Sequence, residues 1–498
     1  MPCHFPATPV RPPCLQCGFP TRATEGHDVN KRRKNGLYGE PSAELSALMR
    51  TGWADTEQRD LRPIEQAPYT ARRRAALSAR FPGERIVVPS GNLKIRSNDA
   101  HYPFRPFSGY VHLTGNQARG CALVLEPRVD GGHDAYCYQL PRDDRDSNEF
   151  WTGDTSEFWM GRRHSLAEAE QLLGLPCRDV RGAAGELAAA TAVPTRIVRG
   201  HDAVLEAALP TDEERDAELE EALGDLRLVK DEWEIGQMRL AVDSTVRGFT
   251  DCVSELSRAV ATSERWIEGT FFRRARLEGN DVGYGSICAA GNHATIMHWT
   301  HNDGPVRPGE LLLLDAGVET RTLYTADVTR TLPVSGTFTP VQRKVYDAVH
   351  EAQEAGIAAV KPGAHYRDFH EAAQRHLAER LVEWGFIDGP ADRAYELGLQ
   401  RRFSIAGTGH MLGLDVHDCA AARNDGYVDA VLEPGMVLTV EPGLYFQADD
   451  LSVPEEYRGI GVRIEDDILV TADGCENLSA GLPRSADDVE SWMRDIAG

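Results

Sequence analysis

"LLLLDAGVETRTLYTADVTRTLP", residues 311–333, decides how the chain is read. Two apolar, strand-patterned segments flank a short polar stretch, and each carries one aspartate, Asp315 and Asp327. A lone carboxylate buried in a strand costs several kcal/mol, so a pair of them needs a reason. The two are an even number of residues apart. With Arg321 at the centre of a tight connection, the strands pair antiparallel and the aspartates stand opposite each other on one face. Carboxylates about 4 Å apart repel by roughly 4 kcal/mol at an effective dielectric near 20. They therefore share a proton or hold a cation between them.

Downstream segments favour the cation. Glu441 ends the apolar run "MVLTVEP", Glu465 ends "GVRIE", and His410 sits in "GTGHMLGLDVHD". Four carboxylates converging with one imidazole carry a charge that two divalent ions balance, and such an oxygen-rich set suits Mn²⁺, Co²⁺ or Zn²⁺. A site of this kind activates water and polarises a carbonyl or phosphoryl oxygen. The competing reading of any one acidic residue at a strand end is a cap or a surface ion pair. Asp466 and Asp467, next to Glu465, are read that way, facing solvent or neighbours.

Composition narrows the setting. At 498 residues the chain exceeds one ordinary core, so two or three domains are expected. A net charge of −23 argues against a nucleic-acid partner, which needs a positive field. No apolar run approaches the roughly 18 residues of a membrane span, and the first residues lack the apolar core of a signal peptide. The expectation is a cytoplasmic protein with no membrane partner. Residues 1–60, rich in Pro, Gly and charge with a basic "KRRK" at 31–34, read as a mobile extension. Ten scattered cysteines do not make a disulfide framework in so long a chain. Cys14 and Cys17 form one CxxC beside Cys3, His4 and His27; no second CxxC completes a zinc set, so they read as thiols of the extension.

In residues 61–225, "TARRRAALSARF" predicts a helix, and "RIVVPS", "GYVHLTG", "CALVLEP" and "AYCYQLP" predict strands. An acidic helix, "TDEERDAELEEALGDL", then presents a solvated face near a domain boundary. In residues 226–498, Ile235, Met238, Val242, Val246 and Phe249 recur at helical spacing. Val341, Val345 and Val349 open a second helix stopped by "KPG" at 361–363, and Ala373, Leu377, Leu381 and Trp384 stripe a third. Between them lie strand segments such as "GMVLTVEPGLYF" and "GIGVRIEDDILV", which makes this half an α+β domain.

The ordered run "LDAG", "ADVTRT", "GTGHMLGLDVHD", "LTVEPGLY" and "GVRIEDD" resembles the pita-bread metallopeptidases, the family of methionine aminopeptidase, prolidase, aminopeptidase P and creatinase. The likeness is strongest to the aminopeptidase P branch and covers about residues 226–485. "RSNDAHYPFRPFSGYVHLTGN" and "EFWMGRR" at 157–163 resemble that branch's amino-terminal domain. The resemblance implies a pita-bread catalytic domain at 226–498 behind a smaller α/β domain of creatinase/prolidase type, ribonuclease-H-like, at 61–225. It implies Asp315, Asp327, His410, Glu441 and Glu465 as ligands of two divalent ions, Mn²⁺ first, with Co²⁺ or Zn²⁺ as alternatives. The aspartates stand one residue further apart than in many relatives, which reads as a lengthened turn.

The same resemblance implies that His298, in "ATIMHWTHNDG", and His417 bind the scissile carbonyl, that Glu441 moves a proton, and that Arg463 orients ligand carboxylates. Tyr445 becomes a pocket residue. Asp99 and Trp159 become residues that approach a neighbour's site in a homodimer or homotetramer. His293 and His301 match no role and read as loop residues. One position departs: relatives commonly carry a histidine four residues before the metal histidine, where this chain has Ala406. The implied activity is release of the N-terminal residue from peptides with proline second. Prolidase action on Xaa-Pro dipeptides is the alternative, and a non-catalytic binding module of the same fold a more distant one. "HEAQE" at 350 and "HEAAQ" at 370 lack the second histidine of a zinc helix, and no GxSxG elbow occurs.

Overall fold

Along the strand Arg85–Pro89 every residue is buried, and alternate side chains feed two apolar layers: Ile86 and Val88 one, Val87 the other. A sheet covered on both faces reads as a continuous apolar run, as this one does. The computed structural model containing it describes residues 41–153, 155–189 and 193–497. They form two compact units, one of residues 41–57 with Arg142–His164, the other of Gln58–Pro141 with residues 165–497.

In the smaller unit, Ser42 caps the helix Ala43–Met49 by accepting from the Leu45 amide at 3.1 Å. Trp53 meets the edge of Phe150 at 5.1 Å, Phe158 follows at 5.8 Å, and the Arg145 guanidinium lies 3.6 Å over Phe150. Residues 43–57 of the expected extension are thus built into structure. The basic run at 31–34 and Cys3, His4, Cys14, Cys17 and His27 lie outside the described residues.

The larger unit begins with a five-stranded sheet in the order Cys177–Asp179, His133–Gln139, Ala122–Pro127, Arg85–Pro89 and Thr195–Ile197. The three central strands are antiparallel and both edge strands run parallel to their neighbours. The helices Ala67–Arg80 and Glu213–Leu228 cover one face through Leu77, Leu219 and Leu223. "GYVHLTG", expected as a strand, is instead the helix Ser108–Thr114, with all seven residues buried. Burial on every side erases the amphipathic period that marks a helix. Gly115, at φ +69°, ends it where a Cβ would lie 2.2 Å from Gln66.

The helix Glu232–Ser254 opens the carboxyl-terminal half with a capping box of Asp231 and Glu234, and the helix Pro340–Ala359 begins with another, Thr339 with Gln342. With the helices Glu264–Glu278 and Tyr366–Glu383 they surround small antiparallel sheets. One has the order Val328–Pro333, Leu311–Ala316, Ile287–Ala290; a second Val437–Val440, Asp466–Val470, Cys475–Asn477; a third pairs Gly443–Tyr445 with Gly461–Arg463. The runs "GMVLTVEPGLYF" and "GIGVRIEDDILV" therefore each break into two strands that enter different sheets. The breaks fall at Glu441 and Glu465.

The register of the opening stretch differs from expectation. Asp315 pairs with Thr329, and Ala316 with Val328, so the turn is centred one residue later than Arg321. Asp327 is a diagonal neighbour of Asp315 on the same face instead of its direct partner. The connection lacks glycine because Leu323 itself takes the left-handed conformation, φ +72°, while its side chain is buried. Asp466 and Asp467 are fully buried, so solvent is excluded for both. Asp466 accepts from Arg330 at 2.7 Å and from Gln353 at 2.9 Å; Asp467 accepts from the Asp327 amide at 3.2 Å. Among the described residues no helix is long and apolar enough to cross a membrane.

Candidate metal centre

A cavity of about 430 Å³ is lined by Asp315, Asp327, His410, Glu441 and Glu465, together with His298, His417 and Arg463. Each reaches it for a local reason. Asp315 and Asp327 share the face described above. Glu441 and Glu465 stand where the chain leaves one sheet for another, which frees their side chains from cross-strand packing. His410 belongs to an irregular segment stitched to the strand Val437–Val440: the Thr439 amide donates to the His410 carbonyl at 2.9 Å, and the Glu441 amide to the Thr408 carbonyl at 2.8 Å. A Cβ on Gly409 would lie 2.0 Å from the Thr439 carbonyl, so only glycine permits this approach.

The ligand atoms of Asp327, His410 and Glu465 all lie within 4.8 Å of one another. His410 Nε2 is 3.3 Å from Asp327 Oδ2 and 3.4 Å from Glu441 Oε1. Burial raises the carboxyl of Glu441 to about 7, with Asp327 and Asp315 adding to the rise against His410 and Arg463. Burial and the charges of Asp327, Glu441 and Asp315 push Glu465 well above the usual range, and burial likewise raises Asp327. Burial alone would lower His410, but the hydrogen bond to Asp327 and the charge of Glu441 carry it up to about 9. Such a set gathers protons, or cations in their place.

The donors fit divalent ions. Glu465 Oε2 accepts from Thr329 at 2.7 Å, whereas its buried Oε1 has no hydrogen-bond partner. His410 Nδ1 faces the Met411 carbonyl at 3.1 Å, which can only accept. With a cation in the cavity, Nδ1 keeps its hydrogen and Nε2 offers its lone pair. Arg463 donates to Asp315, to Tyr445 Oη at 3.1 Å and to Thr329 Oγ1 at 3.2 Å, one positive charge among four carboxyl groups.

His417 is exposed at the cavity edge, its ring 4.4 Å from that of His410 and nearly perpendicular to it. Partial desolvation of the ring's inner side and the neighbouring His410 lower its pKa, favouring the neutral imidazole. Tyr445, expected in the pocket, is buried behind Arg463 and does not line the cavity. Its own strand pairing holds it there, Tyr445 opposite Gly461. Asp99 is exposed in the turn between Ile95–Ser97 and Ala100–His101, and is likewise absent from the lining. Trp159 belongs to the smaller unit, where it is 59 % exposed and its Nε1 donates to the Trp151 carbonyl at 3.3 Å.

Two residues passed over in the sequence shape the site. Tyr284 lines the cavity with its hydroxyl bonded to Asp315 Oδ1 at 2.6 Å and to Asp327. Glu264, fully buried at the start of its helix, accepts four hydrogen bonds from one loop: the Ala290 amide at 2.8 Å, His293 Nδ1 at 2.8 Å, Trp299 Nε1 at 2.9 Å and the Gly304 amide at 2.7 Å. That loop carries Met297, His298 and Thr300 to the cavity. His293, stacked on Trp299 at 3.8 Å, is thereby a support of the loop. Neither Tyr284 nor Glu264 sits in a patterned motif; only the fold brings them to the site.

Comparison with known proteins adds the family. Residues 236–472 match metallopeptidase family M24, and residues 70–191 match the N-terminal domain of aminopeptidase P. "Xaa-Pro aminopeptidase 2" of Streptomyces coelicolor is 80 % identical over 470 residues, 94 % of this chain and 100 % of that one. The Xaa-Pro aminopeptidase of Escherichia coli is 32 % identical over 453 residues, 86 % of this chain and 98 % of that protein. Among solved structures, Pseudomonas aeruginosa aminopeptidase PepP superposes with a TM-score of 0.77 at 30 % identity, covering 88 % of this chain and 99 % of its own. A variant of Escherichia coli aminopeptidase P in complex with substrate gives 0.78 at 30 % identity, covering 87 % and 99 %.

Proposed function

This chain belongs to metallopeptidase family M24, with the pita-bread fold, and from that premise we propose that it is an Xaa-Pro aminopeptidase, releasing the N-terminal residue from peptides with proline second. The observation that carries the proposal is the buried cluster of Asp327, His410 and Glu465 with an unpartnered Glu465 oxygen, in one cavity with Asp315 and Glu441. These five residues would hold two divalent ions, Mn²⁺ being the first expectation. When bound, the ions supply Lewis acidity and an activated water.

The chain's own groups do the rest. His298 and His417, on two different loops lining the cavity, donate hydrogen bonds to the scissile carbonyl as negative charge grows on it. Arg463 holds Asp315 in place. Glu441 carries a proton towards the prolyl nitrogen, which has no hydrogen before cleavage and leaves as a secondary amine. Ile287, Met297 and Val416 give the cavity an apolar wall against which a proline ring packs. Asp99 and Trp159 we assign to contacts with a second copy in a homodimer or homotetramer, checked by light scattering; a fully active monomer would remove that role.

Product analysis on Ala-Pro-Pro and Gly-Pro with added Mn²⁺ tests the activity. Release of alanine from Ala-Pro-Pro, with little cleavage of Gly-Pro, is expected; the reverse preference makes the chain a prolidase. Asp327→Asn removes one carboxylate from the cluster and should abolish both metal retention and turnover. Full activity in that variant would overturn the ligand set.

A further inference from the structure

His417 lies inside the segment matched to the metallopeptidase family, yet the charged groups that hold its loop come from outside that segment. Arg105, in the amino-terminal half, spends all three of its guanidinium nitrogens across the boundary. Nε donates to Glu319 at 2.7 Å, Nη1 to Asp415 at 3.2 Å, and Nη2 to the Leu414 carbonyl. Ser108, at the start of the buried helix, donates to Asp415 at 2.6 Å. Arg227 reaches the other oxygen of Asp415 at 3.1 Å, and Lys230 pairs with the buried Asp418 at 3.2 Å. Asp415 and Asp418 flank His417 on both sides in the chain.

We infer that Arg105 is a positioning residue for His417: the amino-terminal half serves the reaction by setting the height and angle of the loop that presents this imidazole. The inference rests on the reading of His417 given above. The loop from Gly413 to Cys419 has no helix or strand. Backbone bonds tie its ends, the Thr325 amide to the Gly413 carbonyl at 3.0 Å and the Asp418 amide to the Met411 carbonyl at 2.9 Å. The side-chain anchors at Leu414 and Asp415 fix the course between them. A guanidinium suits the task, since its planar fork meets a carboxylate and a carbonyl of the loop while a third donor grips Glu319, which follows Asp315 on the adjoining strand. One side chain thus links the segment bearing a proposed metal ligand with the segment bearing a proposed carbonyl-binding imidazole.

The test is a double-mutant cycle on the metal-loaded protein with Ala-Pro-Pro. Arg105→Ala should lower kcat about tenfold, with KM within about twofold, because a small misplacement of a group that acts in the transition state costs rate more than binding. Metal content should stay at the parent value, and the fall in Tm expected from leaving the buried Glu319 without its ion pair should be the same in the His417→Ala background. In an His417→Ala background the same substitution should cost less than about twofold, because the residue it acts through is gone. Asp415→Asn, isosteric but without the charge that Arg105 and Arg227 grip, should loosen the same anchor and reproduce the pattern, and serves if Arg105→Ala does not fold. Parent-level kcat in Arg105→Ala, or an equal loss in both backgrounds, overturns the inference while leaving the peptidase reading intact. An His417→Ala variant with parent-level kcat overturns the role of His417 and this inference with it.

Discussion

At the scale of single residues, the cavity combines groups that burial makes costly with one position left small. Ala406, Gly407 and Gly409 form a wall without bulk beside His410. An imidazole at position 406 would stand on the lining of the cavity and add a hydrogen-bonding group on the substrate side. Ala406→His is expected to raise kcat/KM on Xaa-Pro peptides several-fold with metal content unchanged; steady-state kinetics showing no gain would count against it. The four proposed carboxylate ligands stand out in the sequence because each lies in or at the end of an apolar run, whereas His410, set after Gly-Thr-Gly, joins them only through the family resemblance. Tyr284 and Glu264 do not stand out. A tyrosine between glycines and a glutamate opening a helix are ordinary residues in ordinary places, and only their partners across the fold, Asp315 and Trp299 among them, give them meaning.

At the scale of elements, two buried charges organise what surrounds the site. Glu264 gathers the loop that carries His298. In Glu264→Gln, the amide hydrogens would face the Trp299 indole and the Gly304 amide, donor against donor. The expected result is a fall of about tenfold in kcat/KM and faster limited proteolysis within residues 291–304; an unaltered digestion pattern would refute this support role. Arg330, with no exposed side-chain area, bonds to Asp466 at 2.7 Å and to the carbonyls of Glu465 at 2.7 Å and Pro483 at 2.7 Å. Removing one member of a buried pair leaves an uncompensated charge, so Arg330→Met should cost about 3–5 kcal/mol in urea unfolding. Element types were readable wherever period or capping was present, as in the helices beginning at Glu232 and Pro340. The helix Ser108–Thr114 was not, because complete burial leaves no polar face to set a period. The register at Asp315 was missed by two residues, because a leucine in the left-handed conformation does what a glycine usually signals.

At the scale of the molecule, Glu234 ties the halves together. It lies 3.2 Å from Arg73 of the helix Ala67–Arg80 and 3.4 Å from His112, and accepts from Tyr324 Oη at 2.8 Å. Burial would raise its pKa, but His112, Arg73 and the Asp231 amide outweigh that and hold it at about 2, against 4.5 for a free glutamate. A carboxyl depressed by folding stabilises above its unfolded value, and that contribution fades as pH falls from about 4.5 to about 2. Unfolding free energy should therefore drop across that window by on the order of 3 kcal/mol from this group. Glu234→Gln should flatten this limb of the curve; an undiminished slope would assign the acid sensitivity elsewhere.

The residues of the cavity come from widely separated stretches, Asp315 and Asp327 first, His410 much later, Glu441 and Glu465 close to the carboxyl terminus. During synthesis, no chain that stops short of Glu465 owns a complete set of donors. A product that ends before Glu465 is therefore expected to have no means of trimming its neighbours.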